Sequence, residues 1–339
     1  MQTWHLTDKE EDLHRAAALL RDGQLVAIPT ETVYGLAADA LNGQTVEAIF
    51  AAKGRPMDNP LIVHIAEMEE LPSLVAEIPE QAKALADAYW PGPLTMIFKK
   101  ADCIPDEVSA GLATVAVRMP SHPVARRLIQ LSGCPLAAPS ANRSGIPSPT
   151  DARRVAEDMD GRIAAIVDGG ACDVGVESTV VDVSGEQVRL LRPGAVTVDM
   201  LEAVVGTVDI DRAVLNQLKE GQVVSSPGMK YKHYAPSARV ILIKGTARAY
   251  ASYVNAHAAP GVAALCFAGE ESALTVPFLT YGARNDPSEQ AHQLFDALRR
   301  LDDQGVEVAY TACPSLEGVG LAVYNRLLRA AGFEVIDLD

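Results

Sequence analysis

The chain has 339 residues, 48% of them hydrophobic and 22% charged, with a formal net charge of −15. That length favours two domains over one core, and the composition is that of a folded globular chain rather than a disordered one. The acid excess disfavours broad nucleic-acid binding, which needs clustered Lys and Arg, while leaving room for one local basic site, and no apolar run reaches the roughly 18–20 residues of a membrane span.

The opening stretch "MQTWHLTDKEEDLHRAAALLRDG" reads as an amphipathic helix, not a signal peptide, with Thr7 and Glu10 at capping-box spacing and Gly23 placed to end it. From residue 24 to about 200, short β-branched runs alternate with helical patterns. "QLVAIP", "LIVHI", "LTMIF", "TVAVRM", "PLAAPS", "IAAIVD", "STVVDV" and "VRLLRP" are the strands; "TVEAIFAAK", "EQAKALADAYW", "HPVARRLIQL" and "DARRVAEDM" are helices. Near-continuous apolar strands with intervening helices predict an α/β sheet covered on its faces, and the irregular alternation predicts a mixed sheet. After a segment containing "SSPGMKYKHYAP" the pattern restarts, with "RVILIKG", "GVAALCFAG" and "GVEVAYTAC" as strands and "EQAHQLFDALRRLDDQG" and "GLAVYNRLLRAAG" as helices. These make a smaller, parallel α/β unit. The expected division is 1–220 for a first domain, 221–237 for a connector and 238–339 for a second domain. The five cysteines are scattered without a C-x-x-C pair. They argue against a disulfide framework or a cysteine zinc site and suit a reducing cytoplasm, most simply as small buried hydrophobes.

No phosphate loop, no dinucleotide fingerprint, no H-E-x-x-H and no G-x-S-x-G is present, so any chemistry must come from residues spread over several loops. The polar candidates gather at strand ends. "PTETVYGLAAD" offers Thr30, Glu31, Thr32 and Tyr34, a density of polar groups compatible with a capping turn or with a binding loop. In "AAKGRPMDNPLIVHI", Lys53 and Arg55 flank Gly54 at a helix end, and Pro56 and Pro60 stiffen the chain beyond them. Cations there serve either the helix dipole or an anion held by a shaped loop. His64, inside the next strand, reads first as a satisfied core histidine. Arg118 lies within a β-branched run and needs an anionic partner, from the protein or from a substrate. "APSANRSGIPSPT" is an ordered loop presenting Ser140, Asn142, Arg143, Ser144, Ser148 and Thr150; Glu177, Ser178, Thr179 and Arg192 lie at later strand ends. This inventory of cations and hydroxyls, with no nucleophile–histidine–acid set, suits phosphoryl or nucleotidyl transfer by positioning and charge stabilisation.

In order along the chain, "PTETVYGL", "KGRPMDNPLIVHI", "WPGPLT", "VAVRMP", "APSANRSGIPSPT", "ESTVVD", "LRPGAV" and "SPGMKYKHYAP" resemble the motifs of the YrdC-like threonylcarbamoyl-AMP synthases in their two-domain form. The resemblance is dense over residues 10–236 and thinner beyond, where "EGVGLAVYNRLLRAA" is similar to the family's last helix. It implies a YrdC-like twisted mixed sheet with a concave basic cavity, then a smaller Rossmann-like α/β domain. It also implies synthesis of L-threonylcarbamoyl-AMP and pyrophosphate from L-threonine, bicarbonate and ATP, for threonylcarbamoyladenosine formation in tRNA.

The same resemblance assigns Lys53, Arg55, Asn59, Thr114, Ser140, Asn142, Ser148 and Arg192 to ATP, with Lys53, Arg55, Ser140 and Asn142 as the catalytic set. It assigns Thr32, Tyr34, His64, Arg118, Ser178 and the backbone near Ala138 to threonine and its carbamate. Mg²⁺ is expected to arrive with ATP, held by no protein side chain, and no organic cofactor is expected. The basic, aromatic connector would form a lid: Tyr231 or Tyr234 against the nucleotide, Lys230, Lys232 and His233 towards phosphates, Pro227 and Pro236 limiting its motion. Downstream tRNA threonylcarbamoyl-transferase proteins are the expected partners, a weak tRNA contact is compatible, and a membrane partner is not expected. Two rival readings are carbamoyl-adenylate formation, disfavoured by the lack of zinc-finger-like and acylphosphatase-like modules, and an RNA-binding module, disfavoured by the acidic charge.

Overall fold

The computed structural model describes residues 2–216 and 234–338. The chain forms two compact units. The first contains the residues up to 216 apart from two loop pieces; the second contains the residues from 234 onward together with those pieces, Gly145–Pro147 and Val174–Val176.

Eleven strands make the sheet of the first unit: β1 (Trp4–Thr7), β2 (Val26–Ile28), β3 (Gly35–Asp39), β4 (Ile62–His64), β5 (Leu94–Lys99), β6 (Thr114–Arg118), β7 (Leu136–Ala137), β8 (Ala165–Asp168), β9 (Thr179–Asp182), β10 (Arg189–Arg192) and β11 (Asp209–Ile210). Their order is β1-β8-β2-β3-β7-β4-β6-β5-β9-β10-β11. The sheet is mixed, as expected. β4 and β6 run parallel, while β5 is antiparallel to β6 and parallel to β9. Alternation along the strands sends side chains to two faces. On one face Leu36, Val63, Met96, Val117 and Val181 join a large core with Ile49, Phe50 and Leu85. On the other, Val26, Ile28 and Ala37 pack with Leu13, Leu20, Val124 and Leu128 from the helices Glu10–Arg21 and Pro123–Ser132. Further along that other face a third cluster forms from Ile62, Ile97, Ala116, Val180, Leu191 and Ala213.

The N-terminus departs from its expected form. Trp4–Thr7 is a strand, paired in parallel with β8 from Trp4↔Ala165 to Thr7↔Asp168, and the helix begins only at Glu10. Strand pairing takes up Thr7, so the capping box does not form. Asp12 Oδ2 instead accepts from the Thr7 amide (2.9 Å) and hydroxyl (2.8 Å), and Glu10, Glu11 and Asp12 supply negative charge to the first turn. Gly23 does end the helix, at φ +73°. "PLAAPS" shrinks to the two residues of β7, because Pro135 and Pro139 bracket it without amide donors. β3, "GLAAD", carries no β-branched residue and is not evident from local propensity.

The second unit has a five-stranded, all-parallel sheet: β12 (Arg239–Lys244), β13 (Val262–Ala268), β14 (Phe278–Ala283), β15 (Val308–Ala312) and β16 (Val335–Asp337), in the order β14-β13-β15-β12-β16. Helices Ala247–Ala256, Pro287–Asp303 and Val319–Ala330 connect them, the first two capped by Thr246 and Asp286 side chains. The sequence reading anticipated three of these strands and the last two helices. Among the described residues no helix is long and apolar enough to cross a membrane.

Candidate active site

The third apolar cluster turns polar within two residues along each of its strands. Ile62 is followed on the same face by His64, Ala116 by Arg118, Ile97 is preceded by Thr95, and Val180 by Ser178. Register pairs His64 with Arg118 and Arg118 with Thr95, so the three sit side by side across β4, β6 and β5, at the usual spacing of about 4.8 Å between strands. Thr95 Oγ1 then lies 2.7 Å from Ser178 Oγ, and Arg192 closes the row by donating to Ser178 O (3.0 Å) and Ser178 Oγ (3.2 Å). Arg192 reaches Ser178 because the β9–β10 register shifts between Leu190 and Arg192, a bulge that re-aims the side chain. All five side chains are buried.

Arg118 is held from three sides. Nε donates to Gly92 O (3.2 Å), Nη1 donates to Thr32 Oγ1 (2.9 Å), and Nη2 lies 2.7 Å from Glu31 Oε1. The "WPGP" turn is thus part of the site. Gly92 also donates its amide to Met119 O, and a Cβ at Gly92 would stand 2.4 Å from Tyr89 O, so only glycine fits. Glu31 and Thr32 come from a tight turn after β2, in which Thr30 Oγ1 donates to Val33 O (2.6 Å) and accepts from the amides of Thr32 and Val33. Burial opposes ionisation of Glu31, but the Arg118 guanidinium outweighs it and holds the carboxyl below its ordinary range. The amides of Glu31 and Ser121 add to that pull without reaching aligned hydrogen-bond geometry.

A second cluster surrounds Lys53, the last residue of helix Gly43–Lys53. Its Nζ donates to Ser140 O and to Asn142 O (2.7 Å), and its carbonyl accepts from the Ser144 amide (2.9 Å). Burial and neighbouring Arg55 push the Lys53 pKa well down, against the pull of Asp158 and Glu177. Gly54 turns the chain in the left-handed region, and Arg55 Nη2 then donates to Asn59 O (3.2 Å). Asn59 is fully buried, and neither its amide nitrogen nor its amide oxygen has a hydrogen-bond partner among the described residues. Ser148 donates to Glu177 Oε1 (2.6 Å), and Asn142 Nδ2 donates to Arg143 O. The loop is fixed to the start of β3 by Tyr34 N to Pro149 O and Ala141 N to Tyr34 O, and by the bridge Gly35↔Ser140.

The fold therefore joins Thr32, Arg118, His64 and Ser178 in one row and gathers Lys53, Ser140 and Asn142 in one clamp, with Arg55 and Asn59 beside it. Other expected residues stand apart from these contacts. Tyr34 donates its hydroxyl to Gly170 O (2.7 Å), and burial raises its pKa. Thr114 is on the face of Arg118 but four residues back along β6, about 13 Å away. The Ala138 amide donates to Ile62 O. Tyr234 belongs to the second unit, its ring 5.2 Å from that of Phe295. Pro227, Lys230, Tyr231, Lys232 and His233 lie outside the described residues. Thr95 was not anticipated. Its only signal is a hydroxyl at an inward position of an otherwise apolar strand.

His64 carries a measurable consequence. Burial first, then Arg118, lower its pKa from 6.5 to about 3, so the folded protein keeps the imidazole neutral. Between those two values the unfolded chain binds one proton more, so stability falls as the pH drops from 6.5 towards 3. His64→Asn should lose roughly 3 kcal/mol less stability than the parent between pH 7 and pH 4, as read by urea unfolding at both values.

Comparison with known proteins gives two family models in tandem: one described as telomere recombination, of the Sua5/YciO/YrdC family, over residues 18–194, and one described as threonylcarbamoyl-AMP synthase, C-terminal domain, over residues 196–332. The threonylcarbamoyl-AMP synthase of Pyrococcus abyssi is 46% identical over 336 residues, covering 97% of this chain and 96% of the relative. That of Bacillus subtilis is 45% identical over 338 residues, covering 98% and 97%. The crystal structure of P. abyssi Sua5 complexed with L-threonine superposes with a TM-score of 0.93 at 43% identity, each chain covered completely. The chain belongs to the threonylcarbamoyl-AMP synthase family, in its two-domain form.

Proposed function

We propose that the protein makes L-threonylcarbamoyl-AMP from L-threonine, bicarbonate and ATP, releasing pyrophosphate, and so supplies the donor for threonylcarbamoyladenosine formation in tRNA. The observation that carries this reading is the buried row His64–Arg118–Thr95–Ser178, which presents a guanidinium and hydroxyls on one sheet face. Arg118 is suited to an amino-acid carboxylate, since a guanidinium offers paired donors to a planar anion. Thr32 and Ser178 fix its neighbourhood and offer hydroxyls to the threonine side chain or carbamate. Neutral His64 lines the row without adding a positive charge.

The reaction needs no protein nucleophile. The carbamate oxygen attacks the α-phosphorus of ATP, the P–O bond to the β-phosphate breaks, and pyrophosphate leaves. What the protein supplies is placement and charge. Arg55 and Arg192 offset the charge that shifts onto the leaving group. Lys53 holds the loop that carries Ser140 and Asn142, and the unpartnered amide of Asn59 is suited to a polar ligand such as the nucleotide. Thr114 and Ser148 complete the ATP side, and the backbone near Ala138 the threonine side. Tyr34 braces the loop between them. Together these groups would line a concave basic cavity, with Tyr231 or Tyr234 as the aromatic proposed for the ATP side.

Among the described residues no group of three or more His, Cys, Asp and Glu could hold a metal ion. Mg²⁺ in this reading enters bound to the phosphates of ATP, offsetting their charge, and no organic cofactor takes part. The product passes to tRNA threonylcarbamoyl-transferase proteins, with at most a weak tRNA contact by this chain, in the cytoplasm, where its free cysteines would stay reduced. The test is pyrophosphate release by purified protein with ATP and Mg²⁺. Release should require both L-threonine and bicarbonate; release independent of either would overturn the assignment.

A further inference from the structure

Glu31 has no role in the account so far beyond neutralising Arg118, and its geometry is poor for that task alone. An arginine–carboxylate pair built for structure is usually doubly aligned, with two parallel N–H···O bonds. Here the closest approach is 2.7 Å, from Arg118 Nη2 to Glu31 Oε1. Neither oxygen of Glu31, nor Arg118 Nη2, has an aligned hydrogen bond among the described residues. Both side chains are almost inaccessible, at 6% and 4%. A buried ion pair with unfilled hydrogen-bonding capacity is unfavourable for folding, and its presence calls for another explanation.

An α-amino acid supplies one. It carries an anionic carboxylate and a cationic ammonium on the same carbon, and its complement is a guanidinium beside a carboxylate. We propose that Glu31 is a substrate-binding residue: it receives the α-ammonium of the amino acid whose carboxylate Arg118 receives, and takes the proton that the nitrogen must lose before it can bond to carbon. One N–H bond breaks and one O–H bond forms on Glu31. The ammonium–carboxylate pair becomes an amine beside a carboxylic acid, with no change in total charge. The freed lone pair on nitrogen is then available to the carbon derived from bicarbonate. The inference rests on the amino-acid reading of the site.

The surroundings favour such a handover. The charged and titratable groups acting on Glu31 are Arg118 on β6, His64 on β4, His122 just beyond β6, and Cys172 in the loop after β8. Burial lowers the pKa of both histidines and raises that of the cysteine, which favours their neutral forms. Burial raises the Glu31 pKa and Arg118 is the dominant charge opposing it, so sharing the guanidinium with a substrate carboxylate weakens its hold on Glu31. The substrate carboxylate offsets part of the guanidinium's pull on Glu31, and once the proton has moved the neutral amine no longer adds a positive charge beside it.

The experiment is calorimetric titration of the full chain with L-threonine, with its hydroxy analogue (2S,3R)-2,3-dihydroxybutanoate, and with ATP. The proteins compared are the parent, Glu31→Gln and Glu31→Asp. The parent should prefer L-threonine to the hydroxy acid. Glu31→Gln should bind L-threonine about ten- to a hundredfold more weakly, the range for one hydrogen bond to a charged group, while ATP and the hydroxy acid bind as before. Glu31→Asp should recover part of the preference. An unchanged preference in Glu31→Gln overturns the proposal. So does an equal loss for both acids, which would make Glu31 only a support for Arg118. A parent that binds ATP but not L-threonine removes the amino-acid reading itself, and it is recognised in the parent alone. If Glu31→Gln fails to fold, seen as lost ATP binding, Glu31→Asp carries the comparison.

Discussion

Arg118→Ala is expected to abolish threonine-dependent pyrophosphate release and to lower the stability of the first unit by about 3–5 kcal/mol, the range for breaking a buried ion pair from one side. The two losses have separate causes. Activity is lost with the only guanidinium in the row His64–Arg118–Thr95. Stability is lost because Glu31 stays behind at 5% exposure with its carboxylate uncompensated, while Thr32 Oγ1 and Gly92 O lose their donors. The pH dependence has a definite sign. In the parent the Glu31 pKa is lowered, so its contribution is fully present above the ordinary carboxylate pKa of 4.5 and fades as the pH falls below it. Without Arg118 burial dominates and raises that pKa, so the variant's deficit grows as the pH rises through the same region. Adding Glu31→Gln to Arg118→Ala should restore most of the stability and none of the activity, because the stranded charge is gone while the substrate site is still missing. Urea unfolding at pH 7 of the parent, the single variants and the double variant measures the coupling. Parental stability in Arg118→Ala would show that the pair contributes nothing to the fold.

The same residues show what was legible in the sequence. Arg118 announced itself as a charge within a β-branched strand that needed an anionic partner. Period-two alternation points it off one face of its strand. The partner was not legible, because Glu31 lies 87 positions earlier and meets Arg118 only through a strand order in which β6 sits between β4 and β5. Thr95 fails to stand out for the same reason: Ser178, the group it meets, is 83 residues away. Local patterning gave most strands and helices correctly because their apolar periodicity is strong. It failed at Trp4–Thr7, where pairing with β8 overrides the helical pattern, and at β3, whose residues carry little strand propensity and which is fixed by pairing with β2 and β7. Lys53 was legible as a cation and ambiguous in its task. At a helix end it suited the dipole or a phosphate, and the carbonyls it reaches belong to a loop 87 and 89 residues away.

That placement sets the second large effect. Lys53→Met keeps the length and apolar volume of the stem and removes the donors, leaving Ser140 O and Asn142 O without their partner and the loop between them free to shift. A displacement of about 1 Å in groups that align a reacting phosphate is enough for a hundredfold loss, and kcat/KM for ATP should fall by about that factor. L-threonine affinity should change far less, because the row His64–Arg118–Thr95–Ser178 is held by β4, β6, β5 and the residue leading into β9 rather than by that loop. Stability should move little, within about 1–2 kcal/mol, since lost hydrogen bonds are offset by the removal of a buried amine whose charged form is disfavoured there. The sign of that offset can be checked. The Lys53 pKa lies well below 10.5, so between the two values the unfolded chain binds the extra proton and parental stability rises with pH. Lys53→Met should lack that rise. Unfolding from pH 7 to 10, with ATP kinetics at pH 7, reads both. A methionine variant with the parental kcat/KM would mean that the clamp on Ser140 and Asn142 is dispensable, and that Arg55 and Arg192 position the nucleotide without it.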